Sequence, residues 1–436
     1  MKILHTADLH LGQILYQNYD RVDEHSHFFT QLKAWCKQYQ PDALLVSGDI
    51  FDIQQPSAST KKAFNEHFVE LRRQCPDMAI IVTAGNHDSA SRLQADASVW
   101  SLAGMTLIGT APAQQDQAGW EDKYIVRLDS GYVIALPFMT SERPETLQHL
   151  LDVVAQENTT QKPVVMMGHA AVTGLDITGH DYDIGKLKTQ DTQTLGQGYD
   201  YVALGHIHMP QTLGHHEDSL KQKVTYNEPV IRYAGSALHV SCDEAYPHSV
   251  SLVDIERHGG QITIEQLRIN ELRHFYVLPE DGSSYTSIDQ VMQGVQQFCE
   301  QRGSGYFRLR VDHQTDLPAN LNQMIYDLLA RTGDEVRFNP KTLWTGKTTT
   351  SDASAESPKF DVPELQQMTD PLMFVQKIID QLPDLDLQEV SEAFDLVRQE
   401  LLLMDEEEKV KATAKKTRKA TATDDENDNN PTSENN

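Results

Sequence analysis

Five short polar blocks punctuate the chain: Asp8-Leu9-His10, Gly48-Asp49-Ile50-Phe51-Asp52, Gly85-Asn86-His87-Asp88, Gly168-His169 and Gly205-His206-Ile207-His208. Each follows directly on an apolar, β-like run. Together they offer imidazole nitrogens, carboxylate oxygens and one carboxamide, the donors that hard or borderline divalent cations take. Two cations about 3.5–4 Å apart need an anionic bridge, and Asp49 has the two oxygens for it. Neutral imidazoles and the Asn86 amide would keep such a site net positive, drawing in a phosphodiester and sharpening the acidity of a bridging water, the expected nucleophile. His87 is expected to face the substrate, stabilising phosphorane charge or protonating the leaving oxygen, with Asp88 to orient it. A lone histidine is more often a satisfied core or surface residue, but five blocks in order reverse that weighting. His5, His25, His27, His67, His149, His180, His215, His216, His239, His248, His258, His274 and His313 lie outside the blocks and are expected to be structural or surface residues. Asp52 stands evenly between an orienting role and a turn cap.

Such blocks converge only if something brings distant residues together. In open α/β sheets, ligands bind beyond the carboxyl ends of the strands, and every block sits just past such an end. The core strands are expected at Lys2–His5, Ala43–Ser47, Met78–Thr83, Pro163–Met167 and Tyr201–Leu204, with a crossover helix near Asp23–Tyr39 carrying Phe28, Phe29, Leu32, Trp35 and Cys36 at helical spacing. Gly48, Gly85, Gly168 and Gly205 each precede a candidate ligand and would permit the tight turn from strand to loop. Asp8/His10 and His206/His208, one residue apart, can face a common point where the chain bends out of its strand. Lys123–Phe138 has two apolar runs around Asp129-Ser130-Gly131 and reads as a hairpin. A second, partly antiparallel sheet follows, which Val230–Leu267 is expected to extend.

From about Leu272 the pattern becomes a smaller α+β unit, with helices at Ser287–Gln301 and Leu317–Arg331 and strands at Gly305–Val311 and Glu335–Asn339. Thr345–Pro358 has linker composition. Helices are expected near Pro371–Gln381, opened by Asp370 as N-cap, and Leu387–Met404, where Leu387, Val390, Phe394, Val397 and Leu401 form an apolar face. The expected division is 1–271, 272–342, a linker at 343–360, C-terminal helices at 361–405 and a disordered charged tail at 406–436.

Four scattered cysteines, no basic-then-apolar leader and no apolar run of membrane-spanning length lead to the expectation of a soluble protein of the reducing cytoplasm. The net charge of -27, about -24 of it on residues 1–400, argues against gripping nucleic acid by electrostatics alone. A DNA substrate would require bound metals or a more basic partner.

With these blocks, the opening Met-Lys-Ile-Leu-His-Thr-Ala-Asp-Leu-His-Leu-Gly-Gln and the later Tyr233-Ala-Gly-Ser236, the chain resembles the calcineurin-like metallophosphoesterase superfamily, and within it the SbcD family of bacterial nuclease subunits. The match is dense over about residues 1–245. The resemblance implies a two-sheet sandwich flanked by helices, a small α+β capping domain and C-terminal helices that clasp an SbcC-like coiled-coil ATPase. It implies a manganese-dependent, ATP-dependent nuclease: a 3′ to 5′ exonuclease on double strands and an endonuclease on single strands and hairpins, acting in DNA replication, recombination and repair as a dimer within a heterotetramer. Carried over by position, Asp8, His10, Asp49 and His208 would hold one metal, Asp49, Asn86, His169 and His206 the other, and His87 would be the catalytic histidine.

The competing enzyme reading is a phosphatase or cyclic-nucleotide phosphodiesterase with the same metal site. It is opposed by Ile53-Gln54 after Asp52, where related protein phosphatases have Arg-Gly, and by Asp88 where they have Glu. A scaffold without activity would have no need of every ligand.

Overall fold

The computed structural model describes residues 1–112, 119–141, 143–176, 189–215, 223–240, 244, 246–332 and 335–346. The expected C-terminal helices and tail, most of the expected linker, His180 and His216 lie outside the described residues.

The chain begins with β1 (Lys2–Thr6), a short hairpin of β2 (Ile14–Leu15) and β3 (Tyr19–Asp20), and α1 (Val22–Tyr39). Alternating units follow: β4 (Ala43–Ser47), α2 (Ala58–Gln74), β5 (Ala79–Thr83), α3 (Ala90–Leu102) and β6 (Thr106–Ile108). Next come β7 (Ile125–Arg127), β8 (Tyr132–Ala135), α4 (Pro144–Glu157), β9 (Val164–His169), β10 (Ala171–Val172), β11 (Thr189–Gln190) and β12 (Tyr201–Gly205). The strands β13 (Gln211–Thr212), β14 (Lys223–Tyr226), β15 (Val230–Tyr233), β16 (Ser249–Ile255) and β17 (Ile262–Arg268) close the larger part.

Two sheets form from these strands. One runs β14-β17-β16-β1-β4-β5-β6, the other β13-β15-β12-β9-β8-β7. The central strands are buried along nearly their whole length because both faces are covered. Side chains alternate across the first sheet. Ile3, Leu45 and Ile81 pack with Val165, Met167 and Val202 of the second sheet. Leu4, Val46 and Val82 pack with Phe28 and Leu32 of α1 and Phe64 and Phe68 of α2. The hairpin around Asp129-Ser130-Gly131 forms as expected, with Val126 opposite Val133.

The segment Val230–Leu267 does not extend one sheet. β15 joins the second beside β12, whereas β16 lies antiparallel to β1, with Ile3 opposite Val253, and β17 pairs with β16 in the first sheet. Alternation along a strand says which residues share a face and leaves the choice of sheet open. Here Val253 and Ile255 complete the core between the sheets, while Val250 and Leu252 complete the core under the helices.

A separate parallel sheet holds β18 (Phe275–Leu278), β19 (Gly305–Asp312), β20 (Val336–Phe338) and β21 (Leu343–Thr345), with α5 (Ile288–Arg302) and α6 (Leu321–Thr332) between its strands. α5 is opened by the Ser287 hydroxyl, which accepts from Gln290 N–H, and closed by Gly303 in the left-handed region. Val295, Phe298, Phe307, Leu309, Ile325 and Phe338 make this unit's own core. β21 corrects the expected linker boundary: residues 343–345 pair with β19 and belong to the sheet.

The small sheet is tied to the larger part through buried charge. Glu24 of α1 accepts hydrogen bonds from Arg21, Arg273 and the Tyr306 hydroxyl, and Arg273 also reaches Asp23 and Glu335. Arg21, Glu24 and Arg273 are all buried, so each charge depends on the others for solvation.

Candidate metal centre

Asp8, Asp49, Asn86 and His206 lie just beyond β1, β4, β5 and β12, and His169 is the last residue of β9. These strands end on one side of the two sheets, so loops far apart in sequence meet there. The turns are sharp. Asp8, His10, Asp49 and His206 have positive φ (50°, 45°, 46° and 92°), a conformation that non-glycine residues hold only where the surroundings impose it. Each strand is thereby bent outward at its candidate ligand.

Close approach explains three of the four glycines singled out by sequence. A Cβ at Gly85 would sit 2.0 Å from Asp49 Oδ1, one at Gly48 2.1 Å from His169 Nδ1, and one at Gly205 1.9 Å from the Ser47 carbonyl oxygen. Gly168 differs from the expectation, since a Cβ there would meet only Leu204 at 3.7 Å, an ordinary contact.

The side chains gather in two groups, Asp8 with His10 and His208, and Asp49 with His169 and His206; within each, one ligand atom per residue lies within 4.8 Å of the others. The groups adjoin. His169 Nε2 is 3.3 Å from Asp49 Oδ2 and 2.9 Å from Asn86 Oδ1, and Asn86 Oδ1 is also 2.8 Å from His206 Nδ1. His10 Nε2 is 4.0 Å from Asp49 Oδ2. His87, Asp52 and His10 make a third grouping on the same side.

Partners behind these residues fix their rings. His169 Nδ1–H donates to the Ser47 carbonyl over 2.9 Å, which leaves Nε2 for a ligand. His208 Nδ1 lies 2.9 Å from the buried Glu244 carboxylate, the carboxylate–histidine pair that commonly holds a metal-binding imidazole. The Asp8 carboxylate accepts the His206 N–H. Asp88 does not orient His87, contrary to expectation. Its buried oxygens accept N–H groups from Ile50, Phe51 and Gly85, clamping two blocks together. The Asp52 carbonyl instead takes the His87 Nδ1–H, while the Asp52 carboxylate lies 3.3 Å from His10 Nδ1.

Sequence reasoning missed Glu244. It stands in Cys-Asp-Glu-Ala-Tyr with no spacing that ties it to the blocks, and His208 meets it only because the chain folds back after β15. The other histidines divide. His248 approaches Glu244 at 3.4 Å, and His5 and His25 are buried structural residues, as expected of them.

Electrostatics suit a cationic occupant. Burial works against charge on His169, yet Asp49 and Asp8 outweigh it and push its pKa up to about 9. Burial, with Asp49 beside it, raises Asp8 to about 7 despite His169. Burial also opposes charge on Asp49, but His169 and His10 hold that carboxyl far below the usual range. The cluster draws in positive charge. His10 is buried, and its Nε2 has no hydrogen-bond partner, as suits an atom meant for a metal. The donor set therefore fits two divalent cations. A cavity of about 590 Å³ opens on it, and Ile14, Tyr16, His87, Asn339 and Lys341 line its wall. That size suits a ligand site.

The family model described as calcineurin-like phosphoesterase matches residues 1–210. Curated relatives named as SbcD subunits of the nuclease SbcCD align further. The Escherichia coli (strain K12) protein is 29% identical over 318 residues, 66% of this chain and 73% of its own. The Staphylococcus epidermidis protein is 26% identical over 352 residues, 76% of this chain and 84% of its own. The Bacillus subtilis (strain 168) protein is 30% identical over 296 residues, 62% of this chain and 70% of its own. A cluster of candidate metal ligands at the strand ends of a two-sheet sandwich and alignments of this length lead to one assignment: the chain belongs to the SbcD family of calcineurin-like phosphoesterases.

Proposed function

We propose that this chain is the nuclease subunit of an SbcCD-type complex and hydrolyses DNA phosphodiesters with two divalent cations, manganese being the expected metal. In this reading it acts in the cytoplasm as a 3′ to 5′ exonuclease on double strands and an endonuclease on single strands and hairpins, in DNA replication, recombination and repair. A dimer of nuclease subunits joins an SbcC-like ATPase whose cycle gates cutting. Residues 1–271 form the nuclease domain, 272–345 the capping domain, and helices within 361–405 bind the ATPase. The net charge of -27 supports a partner, since a chain this acidic gains little from bulk electrostatics on DNA.

The carrying observation is the adjoining pair of clusters at the floor of one cavity, with His87 on its wall. In this reading Asp8, His10 and His208 hold one cation, Asn86, His169 and His206 hold the other, and Asp49 serves both. Two cations so held lower the pKa of water and polarise a phosphoryl oxygen. His87 donates through Nδ1 to the Asp52 carbonyl, so Nε2 is the atom that protonates the leaving oxygen or stabilises phosphoryl charge. Asp88 keeps Asp49 and Asn86 in register by bonding both their loops. The family's nuclease name favours DNA over the alternatives, a phosphopeptide or a cyclic nucleotide.

The test is the purified full chain with manganese and its SbcC-like partner, given hairpin DNA, a cyclic nucleotide and a phosphopeptide side by side. Cleavage of the DNA supports the reading. Turnover of only the other two would overturn it.

A further inference from the structure

The cavity over the metal cluster is acidic: Asp49, Asp52 and Glu244 line it, and the described lining residues include one lysine and no arginine. That lysine is Lys341. It comes from the small sheet, not from the sandwich that supplies the candidate metal ligands, and follows β20 by three residues. Its backbone is held rather than loose. The buried Asn339 donates its N–H to the Phe307 carbonyl at the centre of the small sheet, and its Oδ1 accepts Lys341 N–H over 2.9 Å. Pro340 fixes φ between them, and β21 resumes the sheet at Leu343. An exposed lysine is thus presented at the cavity wall on a short turn pinned at both ends.

Placement of the turn depends on the docking of the small sheet. Phe338 N–H donates to the Tyr19 hydroxyl over 3.1 Å, and Arg337 donates to the Asp20 carbonyl over 2.8 Å. Both acceptors belong to the β2–β3 hairpin, whose Ile14, Leu15 and Tyr16 line the same cavity. The hairpin leaves the metal-side loop a few residues after His10. One continuous chain of contacts therefore sets the lysine's turn relative to the metal cluster.

We propose that Lys341 is a substrate-gripping residue that holds a phosphate neighbouring the scissile one, and so favours a polymeric phosphodiester over small esters. The inference rests on the proposed nuclease reading and names a residue of that same site. A small diester has one phosphate, which the cations take; only a nucleic acid strand brings a second anionic group for the ammonium. Lysine acts there as a point charge, so its contribution falls with salt. Ile14, 60% exposed on the same cavity, offers apolar contact without charge and serves as the comparison.

The test uses the full chain with manganese, its SbcC-like partner, ATP and a short DNA duplex, following KM and kcat from low to moderate salt for wild type, Lys341→Met, Lys341→Arg and Ile14→Ala, with bis(p-nitrophenyl) phosphate as a second substrate for wild type. Lys341→Met is expected to raise the DNA KM about five- to tenfold at low salt with little change in kcat, and to reduce the slope of log KM against log salt by about one. Lys341→Arg should restore most of both. Ile14→Ala should keep the wild-type salt slope whatever its KM. Wild-type KM and slope in Lys341→Met, with melting unchanged, overturn the inference while leaving the nuclease reading standing. Wild type that turns over the small diester but not DNA overturns both.

Discussion

His87 donates its Nδ1–H to the Asp52 carbonyl over 2.8 Å. A carbonyl can only accept, so the bond fixes the proton on Nδ1 and leaves Nε2 as the ring atom available for chemistry. It also ties the third polar block to the second, three residues past Asp49.

His87 is absent from both three-residue groups that contain Asp8 or Asp49. Replacing it should therefore separate metal binding from hydrolysis. His87→Gln is expected to bind two equivalents of manganese while DNA cleavage falls about 10²–10⁴-fold, the usual range for loss of a general acid or base. Metal content by elemental analysis beside single-turnover cleavage is the measurement. Near wild-type cleavage would remove His87 from the reaction.

Glu244 lies 2.9 Å from His208 Nδ1, a contact that would orient the ring and strengthen Nε2 as a metal ligand. Glu244→Gln is expected to weaken manganese binding about 10–100-fold, with activity largely recovered at high metal. A calorimetric titration of the metal-free variant checks this; unchanged affinity would reduce the contact to packing.

Much of this was legible beforehand, because the blocks carry their own local signal. An apolar run, a sharp turn and then Asp or His can be read from a dozen residues, and each expected strand of the core appears within a residue or two of its place. Glu244 was invisible because its partner, His208, lies 36 residues away across a strand and its loops. The role of Asp88 was misread for a related reason: adjacency to His87 suggested a side-chain pair, while the fold turns its carboxylate toward the N–H groups of a loop some 37 residues earlier. The sheet that takes β16 was likewise set by contact with β1, about 250 residues away.

Glu24 is the shared acceptor of the buried cluster that docks the small sheet, with Tyr306 O–H at 2.5 Å and Arg273 at 3.3 Å. Removing it would take from the buried Arg21 its carboxylate partner and leave Arg273 with only Asp23 and Glu335. Glu24→Ala is expected to cost about 3–5 kcal/mol, the range for breaking a buried ion pair from one side. Urea unfolding gives the magnitude, and limited proteolysis should cut first around residues 272–345. A loss under 1 kcal/mol would mean that the remaining contacts hold the sheet without Glu24.

The last expectation concerns acid. His5 is fully buried in β1, with Nδ1 2.8 Å from the Tyr201 hydroxyl; burial first, then the positive charge of Arg232, lowers its pKa from 6.5 to about 3. The unfolded chain protonates this ring near pH 6.5 while the folded chain does not, so between about pH 6.5 and 3 the unfolded state binds more protons and stability falls as pH falls. From pH 7.5 to pH 5 the loss due to this one ring is about 2 kcal/mol. His5→Gln, which can still bond Tyr201, should be less stable than wild type at pH 7.5 but lose about 2 kcal/mol less on acidification. Urea unfolding of both proteins at the two pH values separates the terms, because every other titrating group is common to them. Parallel stability curves would show that His5 is charged in the folded protein, with neither burial nor Arg232 preventing it.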